Sequence, residues 1–325
     1  MQAVLSVTVP FFALVLAGYL AARRHVLPES AIPGLNAFVL YFALPCMLLR
    51  FGMNTPVFEL LNPAVLAVYV ASALLIVFVA VATSLNERVS LKNAAFGALV
   101  AAFPNTGFMG VPLLVALLGP AAAGPVISTV LADLLVTSSV CIAVSQMGGE
   151  HKGHNGGSAA AARRALKGAL SNPLPWSIAA GAVLSVAGWK LPGPIDSVVA
   201  MLAAAATPVA LFTIGAVLWR AGQHTQTQTA LADYVPVALI KLFLHPLLVF
   251  LLAVGARQLG APLSGFQITV LTLAAALPSA SNVSLLAERY GADNGRIARI
   301  IMTSTVLAFV SFSALAWLFG VRPAA

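Results

Sequence analysis

"FPNTGFMGVPLL", Phe103–Leu114, stands in the middle of an apolar stretch: Ala94 to Ala102 lead into it and Val111–Leu118 follow. Pro104, Asn105, Thr106 and Gly107 occupy positions where a buried helix would carry Leu or Ala. Proline removes one N–H and clashes with the carbonyl a turn earlier. One such interruption reads as a simple kink. A second changes the reading, and "FQITVLTLAAALPSASNVSLLAERYG", Phe266–Gly291, supplies it with Pro278, Ser279, Ala280, Ser281 and Asn282. Downstream, Val111-Pro-Leu-Leu runs on to Gly119 and Val283-Ser-Leu-Leu to Gly291 with equal spacing.

The 325 residues around these two stretches are 60% hydrophobic and 8% charged. A soluble domain carries about 25% charged residues, so this chain belongs in lipid. The formal charge of +8 arises from 17 basic and 9 acidic residues. The positives sit in short loops between apolar runs, with no basic stripe interleaved with aromatics. Membrane topology therefore explains them better than nucleic acid does. Cys46 and Cys141 fall inside apolar runs and read as small core residues. The first run has Arg23 and Arg24 after it and no basic segment before it, the pattern of an uncleaved first span.

A helix needs about 20 apolar residues to cross a bilayer. Ten candidate spans follow, at 2–22, 32–50, 63–84, 94–118, 125–147, 173–189, 195–219, 231–256, 265–288 and 296–319. Loops after odd-numbered spans hold 12 Lys and Arg, and the opposite side holds only Arg50, Lys190, Arg257 and Arg322. That bias places the odd loops in the cytoplasm of a multi-pass inner (plasma) membrane protein, with both termini outside. The Gly/Ala-rich segment 148–172 reads as a cytoplasmic linker, and its His151 and His154 lack the companions a metal site needs.

The linker divides the chain into 1–147 and 173–325, five spans each. An odd count per half inserts the halves in opposite senses, the plan of an inverted-repeat transporter. The two interrupted stretches are then the fourth span of each half. A weaker echo links Pro45 in span two with Pro208 in span seven. The fold expected is all-α and integral to the membrane, with helices four and nine broken and crossing.

Backbone groups freed by such breaks are tolerated in lipid only where protein or a watery cavity takes them up. Each break also makes a half-helix N-terminus, which favours anions. Pro104, Asn105, Thr106, Gly107, Pro278, Ser279, Ser281 and Asn282 are thus the candidate substrate site, a polar nest suited to a carboxylate. No catalytic or metal-binding set accompanies it. Charges inside spans are costly and usually functional. Asp133 in span five and Lys241 in span eight fall at similar depth and are expected to form a coupling or structural ion pair. His245, one turn from Lys241 and just before Pro246, is expected to bond a freed carbonyl. Arg50 reads as an interface anchor and Asp196 as an N-cap. Trp176, Trp189, Trp219 and Trp317 read as belt residues.

"FPNTGFMGVPLL", "YFALPCMLL" in span two and "ALPSASNVSLLAERYGAD" together resemble the auxin efflux carrier family in its bacterial branch, over essentially all spans. The resemblance implies a scaffold of spans one, two, six and seven, and a transport domain of spans three to five and eight to ten that shifts like an elevator. It also implies organic-anion substrates: auxin-like acids in plants, malate, malonate or similar acids in bacteria. Ser279-Ala280-Ser281 before Asn282 departs from the plant pattern, so a small carboxylate is expected rather than auxin. The expected function is secondary active transport of such anions, without cofactor, with proton or sodium as candidate coupling ions. The partners expected are the anion, lipid and, in the oligomeric case, a second copy as a homodimer. The alternative is a sodium-coupled symporter of the bile-acid type, which needs cation ligands near the breaks. An intramembrane enzyme is disfavoured, since no nucleophile and base share one depth.

Overall fold

Where water is scarce, a backbone satisfies its own N–H and C=O groups by coiling. The computed structural model describes residues 1–147, 171–223 and 229–321, and these are helical with no strand beyond one isolated bridge. In chain order the helices are α1 (Gln2–Arg23), α2 (Glu29–Asn54), α3 (Phe58–Ser84), α4 (Leu91–Ala102), α5 (Thr106–Leu118) and α6 (Pro120–Met147). They continue as α7 (Pro173–Ala187), α8 (Gly193–Gln223), α9 (Leu231–Gln258), α10 (Gly265–Ala275), α11 (Val283–Arg289) and α12 (Asn294–Leu318). Seven are long and apolar enough to cross a membrane: α1, α2, α3, α6, α8, α9 and α12. α4, α5, α10 and α11 are shorter because the chain breaks, and α7 is one short helix of 15 residues that ends at the left-handed Gly188. The runs expected at 94–118 and 265–288 are each split, into α4 and α5 and into α10 and α11.

Side chains at helix starts explain several boundaries. Asn62 accepts the amides of Ala64 and Val65, and Asn172 that of Leu174. Ser264 and Gln267 form a reciprocal capping box. Such caps are each worth about 0.5–2 kcal/mol. Asp196 is not a cap. α8 begins earlier, at Gly193, and Asp196 lies in its first turn with Oδ1 4.0 Å from Arg50 Nη1. Both partners are part-exposed, so this pair contributes at most about 1 kcal/mol. Of the linker 148–172, residues 148–170, with His151 and His154, lie outside the described residues.

Four helices widen locally into a turn with i→i+5 bonds: Val39–Ala43, Thr106–Gly110, Asp133–Thr137 and Ile240–Leu244. Three have one cause. Pro45, Pro112 and Pro246 each sit at the second position of the segment that follows. The wider turn moves the carbonyl four residues back away from the proline ring. The fourth has no proline; there Ser138 Oγ donates to the Asp133 carbonyl at 2.8 Å.

Two close crossings are built on glycine. A Cβ on Gly18 of α1 would overlap the Phe212 carbonyl of α8, and one on Gly215 of α8 would overlap that of Val15. Gly52 of α2 and Gly181 of α7 meet the same way, against the carbonyls of Ile178 and Leu49. Backbones approach this closely only without side chains. Elsewhere α4 is buried without interruption from Ala94 to Ala102. Arg296 of α12, 2% exposed, ties four helices: Nε donates to the Asp233 carbonyl and Nη1 to that of Asn93, both at 2.8 Å, and Nη2 to Ser84 Oγ at 3.3 Å. Gly97 leaves room for that guanidinium.

Candidate functional site

The two breaks, distant in sequence, meet. The amide of Asn105 donates to the Pro278 carbonyl at 2.8 Å, and the amide of Ala280 to the Phe103 carbonyl at 3.0 Å. Pro104 and Ser279 thereby form an antiparallel bridge. Each break supplies what the other has lost. Pro104 has no N–H for the Val100 carbonyl one turn earlier, and Ser279 Oγ donates there instead at 2.7 Å. The Ser279 amide donates not to the Ala275 carbonyl but to Ser304 Oγ of α12, at 3.2 Å. The carbonyl so freed accepts from Lys241 Nζ at 2.6 Å. Unpaired backbone groups in a dry interior cost several kcal/mol each, and these five bonds remove that cost.

The predicted residues divide into two sets. Pro104, Thr106, Pro278 and Ser279 are buried and committed to the bridge, with Thr106 Oγ1 3.4 Å from the Pro104 carbonyl. Asn105 gives its backbone amide to the bridge but not its side chain, and Gly107, Ser281 and Asn282 make no bond across it. Asn105 is 2% exposed, yet its Oδ1 has no partner and its side chain does not cap the following turn. Asn282 Oδ1 is likewise buried without a partner. Between Ala94 and Val111 only Gly107 is not fully buried, and a Cβ there would meet no atom within 4 Å. Unsatisfied buried carboxamides ask for an explanation. Two of them fall in the two stretches that meet, one of which also holds the open backbone position at Gly107.

Asp133 and Lys241 are both wholly buried, but they do not form the direct ion pair expected of them. Asp133 Oδ2 accepts from Tyr69 Oη at 2.8 Å and Oδ1 from Thr137 Oγ1 at 3.0 Å. Lys241 turns to the Ala275 carbonyl and lies 3.2 Å from His245 Nδ1. His245 therefore faces Lys241 rather than a freed carbonyl, and its Nε2 has no partner. The reason is rotational. Asp133 opens one widened turn and Lys241 lies within another, so each side chain is turned relative to a regular helix. The sequence reading did not single out Tyr69, Thr137 or Ser304. A lone tyrosine within the apolar run 63–84 was the only signal, since a hydroxyl at that depth needs a partner.

A helical chain with repeated membrane-length segments and two broken helices meeting over polar groups is a multi-pass membrane protein of the transporter class. The model of the family described as "Membrane transport protein" matches residues 3–316, and the chain belongs to that family, the auxin-efflux-like group its motifs resemble. It is similar to the "Putative malonate transporter" of Rhizobium meliloti (strain 1021), 29% identical over 327 residues, with 100% of this chain and 99% of the relative covered. It is also similar to an "Uncharacterized transporter" of Methanothermobacter thermautotrophicus, 26% identical with 95% of each chain covered. The "Uncharacterized transporter YfdV" of Escherichia coli (strain K12) is 24% identical with 96% of each covered. The family and these relatives are transporters, not enzymes.

Proposed function

We propose that this protein is a secondary active transporter of small organic anions of the malonate and malate type. The observation that carries the reading is the junction of the two breaks, where Gly107 is open and the Asn105 and Asn282 carboxamides, their Oδ1 atoms without a partner among the described residues, are free to turn their NH2 groups to a ligand. A carboxamide NH2 and backbone amides at a helix start are donors, and charge-assisted bonds to a carboxylate are roughly twice as strong as neutral ones. Neither carboxamide need carry charge, which limits the cost of the empty site.

The plan we infer is ten spans in two inverted halves, 1–147 and 173–325, joined by a cytoplasmic linker, with both termini outside the inner (plasma) membrane. Two correspondences support it. α11 and the regular part of α5 start at Val283 and Val111 and run to glycines with positive φ, Gly291 at 66° and Gly119 at 87°. The glycine crossing of the first and seventh spans, Gly18 with Gly215, matches that of the sixth and second, Gly181 with Gly52. Pro45 and Pro208 support it less, because Pro45 follows a widened turn while Pro208 lies inside α8. On this plan α1, α2, α7 and α8 are the fixed scaffold, and α3–α6 with α9–α12 move as a unit.

Sodium is the less favoured coupling ion. The carbonyl freed by the second break already accepts from Lys241 Nζ, so it is not open to a cation. Uptake into proteoliposomes, measured with malonate, malate, indole-3-acetate and taurocholate and with or without sodium, tests the reading. Sodium-independent uptake of the small dicarboxylates is expected. Uptake of taurocholate alone, and only with sodium, would favour the bile-acid type.

A further inference from the structure

A cavity of about 620 Å³ lies between α2, α8, α11 and the start of α12. Its polar lining includes Glu29 and Asn36 of α2, Arg220 of α8, Ser284 and Glu288 of α11, and Asn294 of α12. Two features set it apart from a packing gap between lipid-embedded helices. First, its inner wall is the back of a break: Ser284 Oγ donates at 2.8 Å to the carbonyl of Ser281, the residue before Asn282. Second, two of its polar groups are not used up. Asn294 Oδ1 is buried without a partner. Arg220 is half-buried and makes no ion pair or hydrogen bond among the described residues.

We propose that this cavity is a cytoplasmic vestibule that holds the substrate on its way to or from the breaks, and that Arg220 selects dianions over monoanions there. This rests on the carboxylate-transporter reading above and adds a residue outside the two breaks. Arg220 presents a planar donor fork matched to a carboxylate. Glu29 and Glu288 line the same cavity and oppose an anion, but both are exposed. Their fields are screened by water and salt, whereas the half-buried guanidinium acts at short range. A dicarboxylate can give one end to Arg220 while the other faces the break, and a monocarboxylate has no second charge for that contact. The walls also belong to two groups of helices: α2 and α8 on one side, α11 and α12 on the other. A substrate held in the cavity therefore touches both bodies whose relative movement would carry it.

The test is proteoliposome uptake of malonate and of malonamate, the same skeleton with one carboxylate replaced by an amide, by the wild type, Arg220→Gln, Arg220→Lys and Asn105→Ala. Arg220→Gln is expected to raise the malonate KM about tenfold or more, leave the malonamate KM within threefold, and keep maximal rates within twofold. Arg220→Lys, which keeps the charge but not the fork, should fall between and decides the matter if the glutamine variant does not fold. An unchanged ratio of the two KM values in both variants overturns the proposal. If Asn105→Ala abolishes malonate uptake while the Arg220 variants keep the wild-type ratio, the carrier reading stands and only the vestibule assignment fails. If the wild type moves neither acid, both fall together.

Discussion

Replacing Gly107 by alanine separates a binding site from a structural kink, because the structure assigns opposite signs to stability and affinity. A Cβ at Gly107 meets no atom within 4 Å, and the position does not need a positive φ. The protein therefore loses no contact. Restricting the unfolded chain should stabilise it by about 0.4–1 kcal/mol, raising the melting temperature by about 1–3 °C. The new methyl group fills the only part of the stretch from Ala94 to Val111 that is not buried. A carboxylate reaching the backbone there would lose a charge-assisted hydrogen bond worth about 1.5–3 kcal/mol, which corresponds to roughly 10- to 150-fold in affinity. The assays are thermal unfolding in detergent and the malonate KM in proteoliposomes. A melting temperature lowered by several degrees would show that the open face does not exist. An unchanged KM in a stable variant would show that the open face is not where substrate binds.

Ser279→Ala removes the donor that meets the Val100 carbonyl from across the junction; the buried acceptor left behind costs about 1–3 kcal/mol, and thermal unfolding should show a drop of a few degrees that Ser264→Ala, at an exposed cap, reproduces only in part. Lys241→Met leaves the Ala275 carbonyl buried without its donor, a loss of about 1–3 kcal/mol that thermal unfolding should show. Asp133→Asn, whose carboxylate bonds Tyr69 and Thr137 instead, should not restore it, and full recovery in the double variant would contradict the separate partnerships of the two residues. Gly215→Ala should prevent accumulation of folded protein, judged by size-exclusion in detergent, because its Cβ overlaps the Val15 carbonyl; a monodisperse, fully stable variant would contradict the α1–α8 crossing.

What was legible in the sequence was governed by local rules. Apolar runs placed the helices within a few residues, since length and hydropathy are properties of one segment: 2–22 against Gln2–Arg23, 63–84 against Pro63–Ser84. The breaks were legible because proline cannot donate, whatever its neighbours. What the sequence hid was rotation and partnership. Depth along a helix can be counted, but a widened turn adds a residue and swings the side chains beyond it. That is how Asp133 and Lys241 came to be paired with each other rather than with Tyr69, Thr137 and the Ala275 carbonyl. The bond from Ser279 to Val100 spans 179 residues. No pattern in either stretch announces it, although the lost N–H of Pro104 required some donor. The structure brings the eight candidate residues to one junction, where Pro104, Pro278, Ser279 and the Asn105 amide hold the two stretches together. The proposed ligand contacts fall to the Asn105 and Asn282 side chains, Gly107 and Ser281.

The junction itself is tested most directly by equilibrium binding of radiolabelled malonate to the purified protein and to Asn105→Ala and Asn282→Ala. Each of these removes a carboxamide whose oxygen bonds to nothing among the described residues, so neither should destabilise the protein by more than about 1 kcal/mol. Binding weakened at least tenfold in both stable variants is the predicted result. Wild-type affinity in both would mean that the anion is held elsewhere, and the broken helices would lose their role as its site.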